Sequence, residues 1–244
     1  IEMWNKPDAP VPTQDATIYD VLDPNVFDLS TVNFTRVGFL KWDQPLPGGQ
    51  TIDTRVDTRP DMNIAVDVKA NLDPETGRID WWFHTVDPMT GDYPGDPNAG
   101  FLPPFNPATG YEIGWMELTV KPKANLPSGT QIANQAFVQF DFLGPCGPAP
   151  KTGPWINTID AGTPSSNVLP LPATVAQDAF LVEWTGADDP GGSGIASYDI
   201  FVSTDGGPFT VWLDDTSETS ATYSGQPGHS YAFYSVARDN VGHM

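Results

Sequence analysis

Three copies of one five-residue pattern constrain the fold of this chain more than any other feature. Asp73-Pro74-Glu75-Thr76-Gly77, Asp87-Pro88-Met89-Thr90-Gly91 and Asn106-Pro107-Ala108-Thr109-Gly110 all read Asp/Asn-Pro-x-Thr-Gly. The acid or amide accepts backbone N–H groups, Pro sets φ at the second position, and Gly supplies the positive φ that closes the turn. A helix does not run through such a segment, but a tight antiparallel connection does. The flanking residues agree. Residues 61–72 put Met62, Ile64, Val66, Val68, Ala70 and Leu72 on one face, with Asp61, Asn63, Asp67 and Lys69 on the other. Residues 78–86 put Ile79, Trp81 and Phe83 on one face and Trp82 on the other. Period-two alternation of this kind marks half-buried strands. The first turn, lying between them, predicts a hairpin closed by a Gly bulge.

Alternation recurs at 111–121 through Met116, Leu118 and Val120. It recurs again at 130–142 through Ile132, Ala136, Val138, Phe140 and Phe142, with shorter strands expected at 32–41, 50–57 and 155–160. No long window carries helical periodicity, and 26 Pro and 23 Gly in 244 residues interrupt most of them. The expected class is therefore all-β. With 31 acidic against 11 basic residues the net charge is −20, which disfavours nucleic acid as a partner. A single cysteine excludes a disulfide framework. No apolar run approaches the ~20 residues of a membrane-crossing helix. The 11% aromatic content argues for a packed core rather than disorder.

Residues 1–15 read as an extended Pro-rich linker. Residues 16–160 read as an N-terminal β-sandwich with a long irregular loop at 87–110, a length that marks a functional loop or one folded over an edge. A second linker is expected at 161–172. Beyond it, Phe180, Val182 and Trp184 alternate, as do Tyr198, Ile200 and Val202, then Val211 and Leu213, then Tyr231, Phe233, Ser235 and Ala237. This predicts a second sandwich at 173–244. Tyr231, just past a Gly-containing corner, sits where sandwiches place a tyrosine corner.

Residues 173–244 resemble a bacterial fibronectin type III domain. The resemblance rests on Trp184, on Ser193-Gly194-Ile195-Ala196-Ser197-Tyr198-Asp199-Ile200, and on the run from Tyr231 to Gly242. Such a domain continues into a last strand after its Asp-Asn-x-Gly turn. The sequence stops at Met244, so the resemblance implies either a cut chain or an open sheet edge able to accept a strand, for instance residues 5–17 of a neighbour. Residues 16–160 are similar to a sandwich module of large secreted bacterial repeat proteins, through the Asp-Pro-x-Thr-Gly turns, Gly100-Phe101-Leu102-Pro103-Pro104 and Trp155-Ile156-Asn157-Thr158-Ile159-Asp160. These resemblances imply an extracellular or cell-surface multidomain setting, with neighbouring domains or further copies as partners, and no activity. Ile1 in place of Met fits a processed chain or a piece of a longer one.

Catalytic signals are weak. Cys146 lies among Pro and Gly with no His near it in sequence and reads as an inert thiol. Ser193 fails the Gly-x-Ser-x-Gly pattern. His84, His229 and His243 show no zinc-ligand spacing, and His84 reads as an ordinary strand residue. Glu117 and Asp141 are the one carboxylate pair worth inspecting for hydrolytic chemistry. Lys41 and Asn134 share inward parity and form the one candidate pair for an internal isopeptide bond. An Asp-rich, Glu-poor, loop-heavy chain suits calcium best. In a sandwich, the loop after the second strand and the loop after the last predicted strand open at the same end. That placement gathers Asp188 and Asp189 with Asp239 and Asn240. A second candidate calcium loop holds Asp87, Asp92 and Asp96, with Asn98. The rival reading is a glycan platform on exposed rings, Trp82 and Tyr93. Against it, the aromatics around 81–115 could instead pack the long loop onto the sandwich. The expected function is a non-catalytic structural or adhesive module stabilised by calcium, with a carbohydrate-binding accessory module as the alternative.

Overall fold

The computed structural model describes residues 1–108, 112–141 and 151–244. All regular structure among them is β-strand. In chain order the strands begin with β1 (Glu2–Met3), β2 (Asp15–Val21), β3 (Phe27–Phe39), β4 (Trp42–Pro45), β5 (Thr51–Asp57), β6 (Ala65–Leu72), β7 (Arg78–Val86), β8 (Gly114–Pro122), β9 (Gln131–Asn134), β10 (Phe137–Phe140) and β11 (Trp155–Thr158). The remainder are β12 (Ser165–Val168), β13 (Ala179–Ala187), β14 (Ile195–Thr204), β15 (Thr210–Thr216), β16 (Ser220–Ser224) and β17 (Tyr231–Asp239). The chain divides into two compact units, residues 1–124 with 132–156, and residues 125–131 with 157–244.

In the first unit one sheet has the order β1-β8-β3-β4 and the other β10-β2-β7-β6-β5. Their inner faces meet in one apolar core. Phe34 of β3 packs edge-on against Trp81 of β7 with ring centroids 4.8 Å apart. The strand parity read from sequence places the inward side chains: Val66, Val68, Ala70, Leu72, Ile79, Trp81 and Phe83 are all buried. The turn pattern also acts as expected. Asp73 accepts the Glu75 N–H at 2.9 Å and the Thr76 hydroxyl at 2.7 Å. Gly77, at φ 73°, returns its N–H to the Asp73 carbonyl at 2.9 Å. Asp87 repeats the arrangement by accepting the Met89 N–H at 2.7 Å. Thr109 and Gly110 of the third copy, and Phe142, lie outside the described residues.

Two expectations for this unit need correction. Residues 1–15 are part of the fold, since Met3 pairs with Gly114 and is buried, and buried Asn5 donates to the Val11 carbonyl at 3.0 Å. The 87–110 loop is a core element along part of its length. Phe101 and Leu102 are fully buried, and the Phe101 ring stacks on Phe83 at 5.5 Å and meets Phe39 edge-on at 5.5 Å. Thr13 ties the same segment down by donating to the Leu102 carbonyl at 2.8 Å.

In the second unit the sheets have the orders β12-β13-β16 and β15-β14-β17. β12 falls inside the stretch read as a linker and pairs with β13 from Ser165↔Ala187 to Val168↔Trp184. Val182, Trp184, Tyr198, Ile200 and Ala237 form the buried centre. The Trp184 indole N–H donates to the Glu218 carbonyl at 2.8 Å, which satisfies its polar atom inside the core. The Tyr231 hydroxyl accepts the Gln226 N–H at 2.8 Å, the back-bond of a tyrosine corner. One parity expectation fails. The register steps from Ile200↔Leu213 to Phe201↔Val211, so Trp212 is an extra residue, a β-bulge. Trp212 and Leu213 pack against the core while Val211 turns to solvent.

Candidate metal centre

Three loop segments of the second unit bring their acids to one place. The first precedes β12. Gly129 donates to the Ile159 carbonyl and Ile159 to the Thr130 carbonyl, each at 2.9 Å, and the Ala161 N–H reaches the Ser128 hydroxyl at 2.8 Å. This short ribbon presents Asp160. The second is the β13–β14 loop, which folds around its own acid: Asp188 accepts the Asp189 N–H at 2.9 Å and the Gly194 N–H at 2.7 Å. The third follows β17, where Asp239 accepts the Val241 N–H at 2.9 Å and the His243 N–H at 2.8 Å. A bond from Ser193 N–H to Asp160 at 2.7 Å joins the first segment to the second.

Ligand atoms of Asp160, Asp188 and Asp189 lie within 4.8 Å of one another, and so do those of Asp160, Asp239 and His243. Of nine buried side-chain polar atoms without a hydrogen bond among the described residues, four are here: Asp160 Oδ1 and Asp189 Oδ1, and Asp239 Oδ2 with His243 Nδ1, which face each other at 2.8 Å as an ion pair. Buried polar atoms are rarely left unsatisfied, so a concentration of them at one point indicates a missing partner. Glycines make room for the acids: a Cβ on Gly162 would run into Asp189 Oδ1, and one on Gly192 would sit 2.6 Å from Asp188 Oδ2.

The local electrostatics favour charged acids. Hydrogen bonds from Ser193, assisted by the nearby His243 ring, hold the Asp160 carboxyl below the ordinary range. Burial pushes the Asp239 carboxyl up, but backbone N–H groups of His243, Val241 and Gly242, with the His243 ring, outweigh it and the net direction is down. Converging carboxylates held in the anionic form repel one another, and a divalent cation resolves that repulsion. The residues present therefore fit a cation: oxygen donors from three segments, unpartnered atoms among them, and glycines beside them.

Asp188 and Asp189 converge with Asp160, and Asp239 converges with Asp160 and His243, so the expected acids fall into two sets that meet only through Asp160. Asn240 is not turned into the site by its amide N, which donates to the Ser193 and Gly194 carbonyls at 2.8 and 3.0 Å and braces the loop. Asp160 and His243 escaped the sequence reading. Asp160 sits beside a stretch read as linker, and His243 has no second histidine at ligand spacing, although Asp239 stands four residues before it. A faint signal was present in Asp160-Ala-Gly162, an acid close to a glycine that leaves room for a second acid.

The second candidate loop does not assemble. Asp87, Asp92 and Asp96 form no converging set among the described residues. Asp87 caps its own turn, and Asp96 accepts the Asn98 N–H at 2.9 Å. The other chemical candidates are likewise separated. Lys41 pairs with Asp61 at 2.5 Å on the surface, while Asn134 donates to buried Asp20 at 2.8 Å. The Lys41–Asn134 pair is therefore not formed, because Asn134 satisfies an acid and Lys41 points to water. Glu117 accepts the Thr35 hydroxyl at 2.6 Å, and Asp141 accepts the Gln14 and Asp15 N–H groups at 2.8 and 2.9 Å. Cys146 lies outside the described residues.

Trp82 is 42% exposed and Tyr93 57% exposed. Trp82 lies on the outer face of β7, opposite Thr17 and Lys69, while its neighbour Trp81 is buried. His84 is two residues along on that face, and Tyr93 from the long loop meets its ring edge-on at 4.4 Å. The Tyr93 hydroxyl donates to Asp15 at 2.7 Å, which pushes its pKa up to about 12. The opposite oxygen of Asp15 is 2.6 Å from His84 Nδ1. His84 is thus a clasp between sheet and loop.

No known protein-family profile matches the chain, and no solved structure does.

Proposed function

We propose that this chain is a non-catalytic structural or adhesive module of an extracellular or cell-surface bacterial protein, stabilised by calcium. The carrying observation is the set of Asp160, Asp188 and Asp189, with ligand atoms within 4.8 Å and two of them unpartnered. All-oxygen donor sets on flexible loops are the chemistry of Ca²⁺. An ion there would tie the segment before β12 to the β13–β14 loop. The fibronectin type III reading of the second unit is supported by the sheet orders β12-β13-β16 and β15-β14-β17, the buried Trp184 and the back-bonded Tyr231. The experiment is a thermal melt of the full chain with excess Ca²⁺ and with chelator. A native-state ligand at a hundredfold excess over Kd stabilises by ~2.7 kcal/mol. The rise should vanish in Asp188→Asn/Asp189→Asn; equal melts with and without calcium overturn the calcium assignment.

A second reading, a carbohydrate-binding module, is favoured by Trp82 and Tyr93 alone. Both rings are exposed, and His84, which Tyr93 caps, shares the sheet face of Trp82. Binding on a glycan array that is lost in Trp82→Ala would move the assignment to this class.

A further inference from the structure

We propose that the outer face of the sheet β10-β2-β7-β6-β5 binds an uncharged polysaccharide, with Trp82 as its stacking platform. The inference rests on the carbohydrate-binding reading and names the class of glycan. Strand register lays out the face. Gln139, Thr17, Trp82, Lys69 and Asp53 stand opposite one another in one row across the five strands, with Trp82 on the central strand. At ~4.8 Å between strands this row is about 19 Å long, which suits an extended ligand. His84 lies two residues along β7 from Trp82, about 7 Å away. There the Tyr93 ring meets it edge-on, so the two exposed rings share one strip. The bond from the Tyr93 hydroxyl to Asp15 holds that ring in place before any ligand arrives.

Charge decides the class of ligand. The five strands carry three bases, Arg55, Lys69 and Arg78. Each is paired with an acid of the same face: Arg55 with Asp67 at 2.5 Å, Lys69 with Asp53 at 3.0 Å and Arg78 with Asp80 at 2.6 Å. Asp57 takes Arg59 at 2.5 Å, and Asp15 takes both His84 and Tyr93. No cation is left over for a uronate, a sulfate or a phosphate, and a chain of net charge −20 repels such ligands further. What stays open among the described residues is neutral. The Thr17 hydroxyl, the Gln139 amide and the Asn71 amide nitrogen have no hydrogen-bond partner, while the Asn71 oxygen accepts the Thr51 hydroxyl at 3.3 Å. An exposed indole ringed by neutral donors and acceptors matches a sugar chain, whose C–H faces stack on rings and whose hydroxyls both donate and accept.

The test is affinity electrophoresis of the full chain through gels that hold a neutral polysaccharide (glucomannan, xyloglucan or a mixed-linkage glucan) or an acidic one (polygalacturonate or alginate). Wild type is expected to be retarded by a neutral polysaccharide and not by the acidic ones, with no change on adding salt. Trp82→Ala should weaken binding at least about tenfold, the loss expected of an aromatic anchor that a ligand covers. Gln139→Ala should weaken it about twofold to tenfold, the range of one neutral hydrogen bond. Circular dichroism of each variant checks that the fold is retained. Tyr234→Ala, which alters an exposed ring of the second unit, should bind as wild type. Neutral binding that survives Trp82→Ala, or that is lost in Tyr234→Ala instead, overturns the site. Binding to acidic polysaccharides alone overturns the neutral class and leaves the carbohydrate reading standing. Retardation by neither class overturns both.

Discussion

Replacing Phe101 by Ala tests whether the 87–110 segment is a working loop or a part of the core. The ring is fully buried and contacts Phe83 and Phe39, one from each sheet, with both centroid separations at 5.5 Å. A buried Phe→Ala change costs about 3–5 kcal/mol, because the lost transfer energy adds to the void left behind. The two aromatic pairs, each worth about 0.5–1.5 kcal/mol beyond their area, place the expectation in the upper half of that range. Hydrogen exchange of the β7 amides, central in their sheet, is the assay, since such amides exchange by global opening. At ~1.4 kcal/mol per tenfold, a loss of 3–5 kcal/mol means exchange about 10²–10³·⁵ faster. Met89→Ala is the control. It sits in the same loop, is 80% exposed, and should change exchange by less than about 0.5 kcal/mol. A loss below about 1 kcal/mol for Phe101→Ala would refute the reasoning and show the loop lifting away in the native state.

Three further outcomes follow from named atoms. Asp20 is buried, and burial raises its carboxyl above the ordinary 3.8 despite the Asn134 hydrogen bond. Its favourable contribution is therefore present below that value and lost as pH rises through the raised pKa. Asp20→Asn should gain on wild type as pH goes from about 4 to 7, with Asn134 flipping its amide so that its now unpartnered Oδ1 accepts from the new side chain; a pH-independent difference in urea midpoint would contradict this. Gly162→Ala should diminish the calcium-induced rise in Tm, because the new Cβ drives into Asp189, and the same clash should lower the metal-free melt as well, overpacking costing about 1–3 kcal/mol. Trp81→Ala should destabilise by about 3–5 kcal/mol whereas Trp82→Ala changes stability by under about 1 kcal/mol, and denaturant titration distinguishes them.

The strand faces were legible because alternation reports burial directly. Trp81 and Trp82 are adjacent in sequence, yet one is enclosed and the other is 42% exposed, as parity requires. The Asp-Pro-x-Thr-Gly turns were legible because their bonds are local. Legibility ended where an insertion broke the period, as at Trp212. It ended also where a loop residue crossed into a core, as at Phe101. The row of Phe201, stacked on Tyr234 at 4.5 Å with Phe209 edge-on at 4.8 Å, was missed for a related reason. These rings lie on three separate segments, and only cross-strand register brings them together.

The acid cluster separates the two kinds of information. Composition and the sandwich pattern pointed to the loops that hold Asp188, Asp189 and Asp239, but these acids fall into two sets, each completed by Asp160. The addition of Asp160, the loss of Asn240 as a donor and the arrival of His243 beside Asp239 depended on the folded chain. Period and turn chemistry act over two to five residues and are written in neighbouring letters. Convergence of side chains 79 positions apart, as with Asp160 and Asp239, is decided by register, by where a glycine makes room, and by which oxygen a backbone N–H has already taken.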